Sequence, residues 1–228
     1  MKDRDARTIQ MIGEDGMTKL REAKVLIVGV GGVGSYAAEA IARAGIGTVT
    51  VCDGDEVAAS NLNRQLVALA STIDKNKAEV MAERIRDINP ECKVTAIPHF
   101  YKPEITAGSV QDLTLGDYDW VIDAIDDVDA KVALIRNAKS CGTNIISAMG
   151  AAGKFETCFK VADIAKTSVC PLAKVMRKRL REEGIEHLPV VFSEEKPIPR
   201  DGELGSMSYV PGAMGLELAG YVIKEVVK

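Results

Sequence analysis

The apolar positions fall into short runs separated by longer, periodic stretches. Lys24-Val-Leu-Ile-Val-Gly29 is an apolar, β-branched run closed by glycine, the pattern of a strand buried on both faces. Residues 48–52, 94–97, 120–125 and 144–147 predict further strands. Between them lie helical patterns at residues 11–20, at 35–44 (alanine-rich and stopped by Gly45), at 75–89 and at 128–140. In the third of these, Ala78, Met81, Ile85 and Ile88 recur at helical spacing, and Pro90 follows the end. Strands alternating with helices predict an α/β fold with a Rossmann-like, doubly wound, mostly parallel sheet.

The rhythm changes after Gly150. Residues 155–164 predict a strand of alternating character, 171–183 a basic amphipathic helix, and 190–193 a short strand. Residues 194–207 are polar, carry Pro197, Pro199, Gly202 and Gly205, and read as a mobile loop before a closing helix at 212–227. The expected organisation is one domain over residues 1–228. Residues 1–150 form its nucleotide-binding half, and 151–228 a C-terminal α/β elaboration that meets the substrate.

Between the first strand and its helix stands Gly29-Val-Gly-Gly-Val-Gly34. Gly29, Gly31, Gly32 and Gly34 suit a tight turn that lets backbone approach phosphate, with a helix N-terminus behind it. Asp53 closes the second strand 19 residues past Gly34, where a carboxylate accepts from ribose hydroxyls. Dinucleotide and ATP both fit this much. The run Asp53-Gly-Asp-Glu-Val-Ala-Ala-Ser-Asn-Leu-Asn-Arg-Gln65 favours ATP. A redox dinucleotide needs no arginine there, whereas ATP split at its α-phosphate needs cations around the leaving pyrophosphate. Arg64 and Lys77 can supply them and Asn61 and Gln65 can add neutral hydrogen bonds; a surface ion pair for Arg64 and a solvated helix face for Lys77 are the plainer alternatives. After the strand at 120–125, Asp126 can hold a Mg²⁺ that bridges phosphates, while Asp127 and Asp129 equally suit a helix cap.

Composition narrows the class. Of 228 residues, 46% are hydrophobic and 27% charged, and no apolar run approaches the ~18 residues of a membrane span. The stretch at residues 1–7 alternates charge and has no apolar signal core, so the default expectation is the cytoplasm. The five cysteines, Cys52, Cys92, Cys141, Cys158 and Cys170, form no C-x-x-C pair, which argues against a four-cysteine zinc clip. His99 and His187 have no metal-like spacing. A net charge of −4 does not advertise nucleic acid, so any RNA contact must be local. Lys174, Arg177, Lys178, Arg179 and Arg181 are the candidate patch, with an ordinary solvated helix face as the alternative.

Together the glycine motif, Asp53-x-Asp55, Ser60-Asn-Leu-Asn-Arg-Gln65, Lys77 and the acid after the fourth strand resemble the ThiF/MoeB/HesA family of E1-like adenylyltransferases. The resemblance implies ATP and Mg²⁺ as cofactors, Asp53 and Asp55 at the nucleotide, and Arg64, Lys77 and Asp126 as catalytic groups. It also implies a homodimer in which Arg7 reaches the partner's ATP site. Asp123-Ala-Ile-Asp-Asp127, Asn89-Pro-Glu-Cys92, the Gly45-Ile-Gly47 turn, Val161-Ala-Asp-Ile-Ala-Lys-Thr167 before Pro171 and Val191-Phe-Ser-Glu-Glu195 resemble the branch that dehydrates threonylcarbamoyladenosine in tRNA. That branch implies a tRNA substrate, with a cysteine-desulfurase system as an associated partner. The other branch implies a ubiquitin-like sulfur carrier, whose C-terminal carboxylate would be adenylylated by the same nucleotide site. A nicotinamide-binding sensor or redox enzyme is a third reading, which Arg64, Lys77 and Asp126 oppose.

Overall fold

The computed structural model describes residues 4–102 and 113–228; the first three residues of the charged stretch at 1–7 lie outside them. A seven-stranded sheet runs β3-β2-β1-β4-β5-β7-β6. The strands are β1 (Lys24–Val28), β2 (Thr48–Cys52), β3 (Lys93–Ile97), β4 (Trp120–Asp123), β5 (Asn144–Ala148), β6 (Lys160–Asp163) and β7 (Pro189–Phe192). All neighbours are parallel except β6 and β7, which pair antiparallel at the edge. The strands from the C-terminal part thus extend the same sheet.

Alternate residues of the central strands feed two cores. On one face Val25, Ile27, Val49, Val51 and Ile122 pack with α1 (Ala6–Glu22), α2 (Gly34–Ala44), α3 (Lys77–Ile88) and α6 (Tyr209–Val227). On the other, Leu26, Val28, Val121 and Ile145 pack with α4 (Val128–Ser140) and α5 (Pro171–Glu182). Period-two side chains of buried parallel strands require helices on both faces, and the chain supplies them. Among the described residues no helix is long and apolar enough to cross a membrane.

Several expected boundaries move. The first helix begins at Ala6 rather than residue 11, so Arg7 lies in its first turn; Gly13, at φ 73° and ψ 173°, breaks the helical dihedrals and divides it into two segments. The strand expected at 155–164 shrinks to Lys160–Asp163, because the N–H groups of Phe155 and Glu156 donate to the Glu195 carboxylate, both at 2.9 Å, instead of to a neighbouring strand. The strand expected at 120–125 ends at Asp123. The polar loop at 194–207 is tied down: Ile198 N donates to Gly153 O, Gly153 N to Gly205 O, and Asn63 Nδ2 to Ser206 O.

Candidate functional site

The sheet order reverses between β1 and β4, and a cleft of about 820 Å³ opens at their carboxyl ends. That is where doubly wound sheets bind ligands. Gly29, at φ 86°, leads out of β1, and a Cβ there would lie 2.6 Å from Ala124 O. A Cβ on Gly34 would lie 1.8 Å from Gly29 O. Only glycine fits at either position, so the loop can fold tightly enough to aim the start of α2 into the cleft. No side chain caps α2; Ser35 N donates to Gly31 O at 3.1 Å, and the remaining N–H groups of the first turn face the cleft end of the helix, where an anion can take them.

Asp53 anchors this loop. It is 9% exposed, and its carboxylate accepts from Val30 N at 2.7 Å and from Asp55 N at 2.9 Å. Burial raises its pKa above the usual aspartate value; the two N–H bonds and the nearby Lys77 charge oppose that rise without cancelling it. Each carboxylate oxygen still has a lone pair for a ribose hydroxyl.

Lys77 opens α3, whose cap is Asn76, with its side-chain oxygen accepting from Ala78 N and Glu79 N. This start directs the buried Lys77 ammonium into the cleft, 2.7 Å from Asp55 Oδ2. Arg64 also lines the cleft. Its guanidinium donates to Ser60 O at 3.0 Å and Asn63 Oδ1 at 2.8 Å, with no acidic partner among the described residues. The surface ion pair weighed as the plainer alternative is therefore not what holds it. Gln65 lies against Gly31, and its buried Oε1 has no hydrogen-bond partner among the described residues.

Asp126 lines the cleft as an exposed carboxylate without a hydrogen bond or ion pair among the described residues, so it is available to a hard cation. Its neighbours are committed elsewhere. Asp127 caps α4 by accepting from Ala130 N at 2.8 Å, and Asp129 pairs with Arg179 at 2.7 Å. No group of three potential metal ligands exists among the described residues. One free carboxylate suits a Mg²⁺ carried largely by phosphates rather than an all-protein cage.

Two expected site residues do not line the cleft. Asn61 does not line the cleft; its side-chain oxygen accepts from Ala58 N at 3.1 Å and closes its own turn. Gly34 shapes the loop from behind. Arg7, expected at a partner's site rather than this one, is exposed on α1. The basic helix also changes character. Arg177 turns inward, donating to Thr167 O at 3.0 Å and Ile164 O at 3.3 Å. Arg179 is held by Asp129 and Lys178 lies 3.9 Å from Glu182. Lys174 and Arg181 remain without an acidic partner among the described residues, on a shallow groove of about 450 Å³.

The sequence reading missed two contributors. Phe100 and Tyr101, just past β3, join Cys52 and Ile125 as apolar walls of the cleft. Burial pushes the Cys52 thiol up to about 12, so it is a wall and not a nucleophile. Beneath the cleft, Asp123, Lys131 and Ser147 form a polar cluster with no solvent exposure. The signal for it was a charge at the end of the apolar β4 run and a lysine on the inward face of α4.

With this geometry in view, the likenesses to known proteins are specific. The model of the ThiF family matches residues 3–228. The tRNA threonylcarbamoyladenosine dehydratase of Bacillus subtilis (strain 168) is 42% identical over 237 aligned residues, covering 95% of this chain and 92% of that protein. The crystal structure of the Escherichia coli tRNA N6-threonylcarbamoyladenosine dehydratase, TcdA, in complex with AMP matches with a TM-score of 0.91 at 38% identity, covering 99% of this chain and 94% of that one. The same enzyme in complex with ATP matches with a TM-score of 0.89 at 38% identity, over the same shares of the two chains. A match over nearly the whole chain, on a sheet and glycine loop of this form, makes the chain a member of the ThiF family.

Proposed function

We infer that the chain is an ATP-dependent tRNA threonylcarbamoyladenosine dehydratase. The observation that carries this reading is the convergence of the Gly29–Gly34 backbone, Asp53, Arg64 and Lys77 on one cleft, in a chain similar over nearly its whole length to proteins of that name. A carboxylate resists displacement of its oxygen until it carries a good leaving group. Attack of the threonyl carboxylate on the α-phosphate of ATP forms an acyl-adenylate and releases pyrophosphate. A nitrogen of the same substituent then attacks the acyl carbon, closes a ring and expels AMP. Because that step is intramolecular, effective molarity is high and no acceptor thiol is needed.

The chain's residues divide this work. Asp53 orients the ribose, the amides at the start of α2 meet phosphate oxygens, and Arg64 and Lys77 offset the charge that grows on the leaving pyrophosphate. Mg²⁺, when bound, neutralises phosphate charge; Asp126 is the carboxylate that would hold it. The apolar walls at Cys52, Phe100, Tyr101 and Ile125 suit a purine base. The groove beside Lys174 and Arg181 suits RNA phosphates. Arg7 is exposed on α1 and has a role in this chemistry only if it serves the site of a second copy, so the reading includes a homodimer; the cytoplasm is the compartment in which such an enzyme meets tRNA.

ATP–pyrophosphate exchange tests the substrate. Exchange should require tRNA carrying threonylcarbamoyladenosine. Exchange driven instead by a carrier protein ending in Gly-Gly would replace the RNA with a ubiquitin-like substrate on the same nucleotide site.

A further inference from the structure

Among the described residues, Lys131 is the largest side chain that is fully buried, and Asp123 beside it is equally inaccessible. The ammonium lies 2.9 Å from Asp123 Oδ2 and donates to the Ile125 carbonyl at 3.0 Å. Asp123 accepts from Ile125 N at 3.1 Å and from Ser147 Oγ at 2.5 Å. Taking both charges out of water is costly, and a well-packed apolar pair often serves a fold as well or better. Stability alone is therefore a poor reason for this pair.

The contacts suggest another reason, because both polar backbone groups of Ile125 are held. That residue sits in the turn at 124–127, which leaves β4 with Ala124 N donating to Val28 O at 2.8 Å and ends at the Asp127 cap of α4. Asp126 stands between these fixed points, with its own side chain free in the cleft. The same turn is the floor of the phosphate loop, since Ala124 O occupies the space beside Gly29.

We propose that Lys131 is a positioning residue for adenylylation: through Asp123 and the Ile125 carbonyl it sets the backbone of residues 124–127, and so the point at which Asp126 meets metal-bound phosphate. It touches neither substrate nor metal. The proposal rests on reading Asp126 as the metal-facing carboxylate.

Lys131→Met alone strands the Asp123 charge in the core, so folding can fail. The informative variant is the neutral double change Lys131→Met with Asp123→Asn, which keeps an acceptor for Ile125 N. Calorimetric ATP titrations are run with Mg²⁺ and with a chelator on the wild type, the double variant and Asp126→Asn. The double variant should melt cooperatively and lose far less of its metal-free ATP affinity than of the gain from Mg²⁺. It should lose roughly tenfold or more of the affinity that Mg²⁺ adds, as metal sites do when their supporting shell is removed. Amide hydrogen exchange should rise across residues 124–127. Equal losses with and without Mg²⁺ would mark a merely structural role and overturn the proposal. If the double variant keeps the full Mg²⁺ gain while Asp126→Asn loses it, the Lys131 proposal falls and the Asp126 reading stands. If Asp126→Asn keeps the full gain, both fall.

Discussion

The Asp53 carboxylate accepts a hydrogen bond from the Val30 backbone at 2.7 Å, joining the end of β2 to the glycine loop after β1. One side chain thus fixes the glycine loop, and in the proposed complex it also meets the ribose. Its raised pKa, due first to burial, means that acid protonates it sooner than an exposed aspartate.

ATP affinity should therefore fall as pH drops through that raised value. A carboxylate whose pKa is raised on folding binds its proton more readily in the folded chain, so its titration favours the folded state as pH falls. This group therefore does not drive acid unfolding, and ATP binding should be lost while the fold is retained. Asp53→Asn should bind ATP weakly at neutral pH and lose the pH dependence. Calorimetry across the acid range checks both, and an unchanged pH profile in the variant would count against the assignment.

Substitutions at the glycine loop should separate close approach from mere backbone strain. Gly34→Ala and Gly29→Ala should each lower stability by about 1–3 kcal/mol and abolish ATP binding, since each Cβ meets a backbone oxygen at under 3.0 Å. Gly184→Ala, at φ 73° with no atom within 4 Å, should cost only about 1 kcal/mol and leave ATP binding intact. Thermal melts beside ATP titrations make the comparison.

The two adjacent aspartates should respond differently to the same change. Asp127→Asn keeps the α4 cap and should alter stability by only a few tenths of a kcal/mol, roughly, because asparagine caps almost as well. Asp126→Asn should fold normally and stop pyrophosphate release. Normal turnover by Asp126→Asn would remove its metal role.

On the basic helix, Arg177→Ala should destabilise by about 1–3 kcal/mol, because the carbonyls at residues 164 and 167 lose a charged donor. Lys174→Glu with Arg181→Glu should leave the melt unchanged, weaken tRNA binding and flatten its salt dependence, each lost phosphate contact removing about 0.7–0.9 from the slope. Binding measured over a salt series decides this. Tight, salt-sensitive binding untouched by the reversals would move the RNA to another face.

These contrasts show what the sequence made legible. Strands β1, β2, β4 and β5 were readable because continuous apolar runs ending in Gly or Asp leave few alternatives. That the glycine loop, Asp53 and Lys77 share one cleft was readable, since the first two stand at the carboxyl ends of strands and a cation was wanted beside them. Asn61 and Arg177 were not, since each satisfies nearby carbonyls or amides through local geometry that composition does not encode. Residues 155–159 looked like a strand by alternation, but Glu195, 40 positions away from Phe155, takes the amides of Phe155 and Glu156, and Phe159 N turns back to Thr157 O. Lys131 and Asp123 meet only because the turn between β4 and α4 is tight enough to bring a helix side chain back to the strand end.

The central claim is that a carboxylate of the tRNA modification becomes an acyl-adenylate. It is tested most directly by labelling that carboxylate with a heavy oxygen isotope and following the label by mass spectrometry after one turnover with ATP. Adenylylation followed by ring closure leaves one labelled oxygen on AMP and a nucleoside lighter by one labelled water. Label in the released pyrophosphate, or AMP formed without label, would contradict the account.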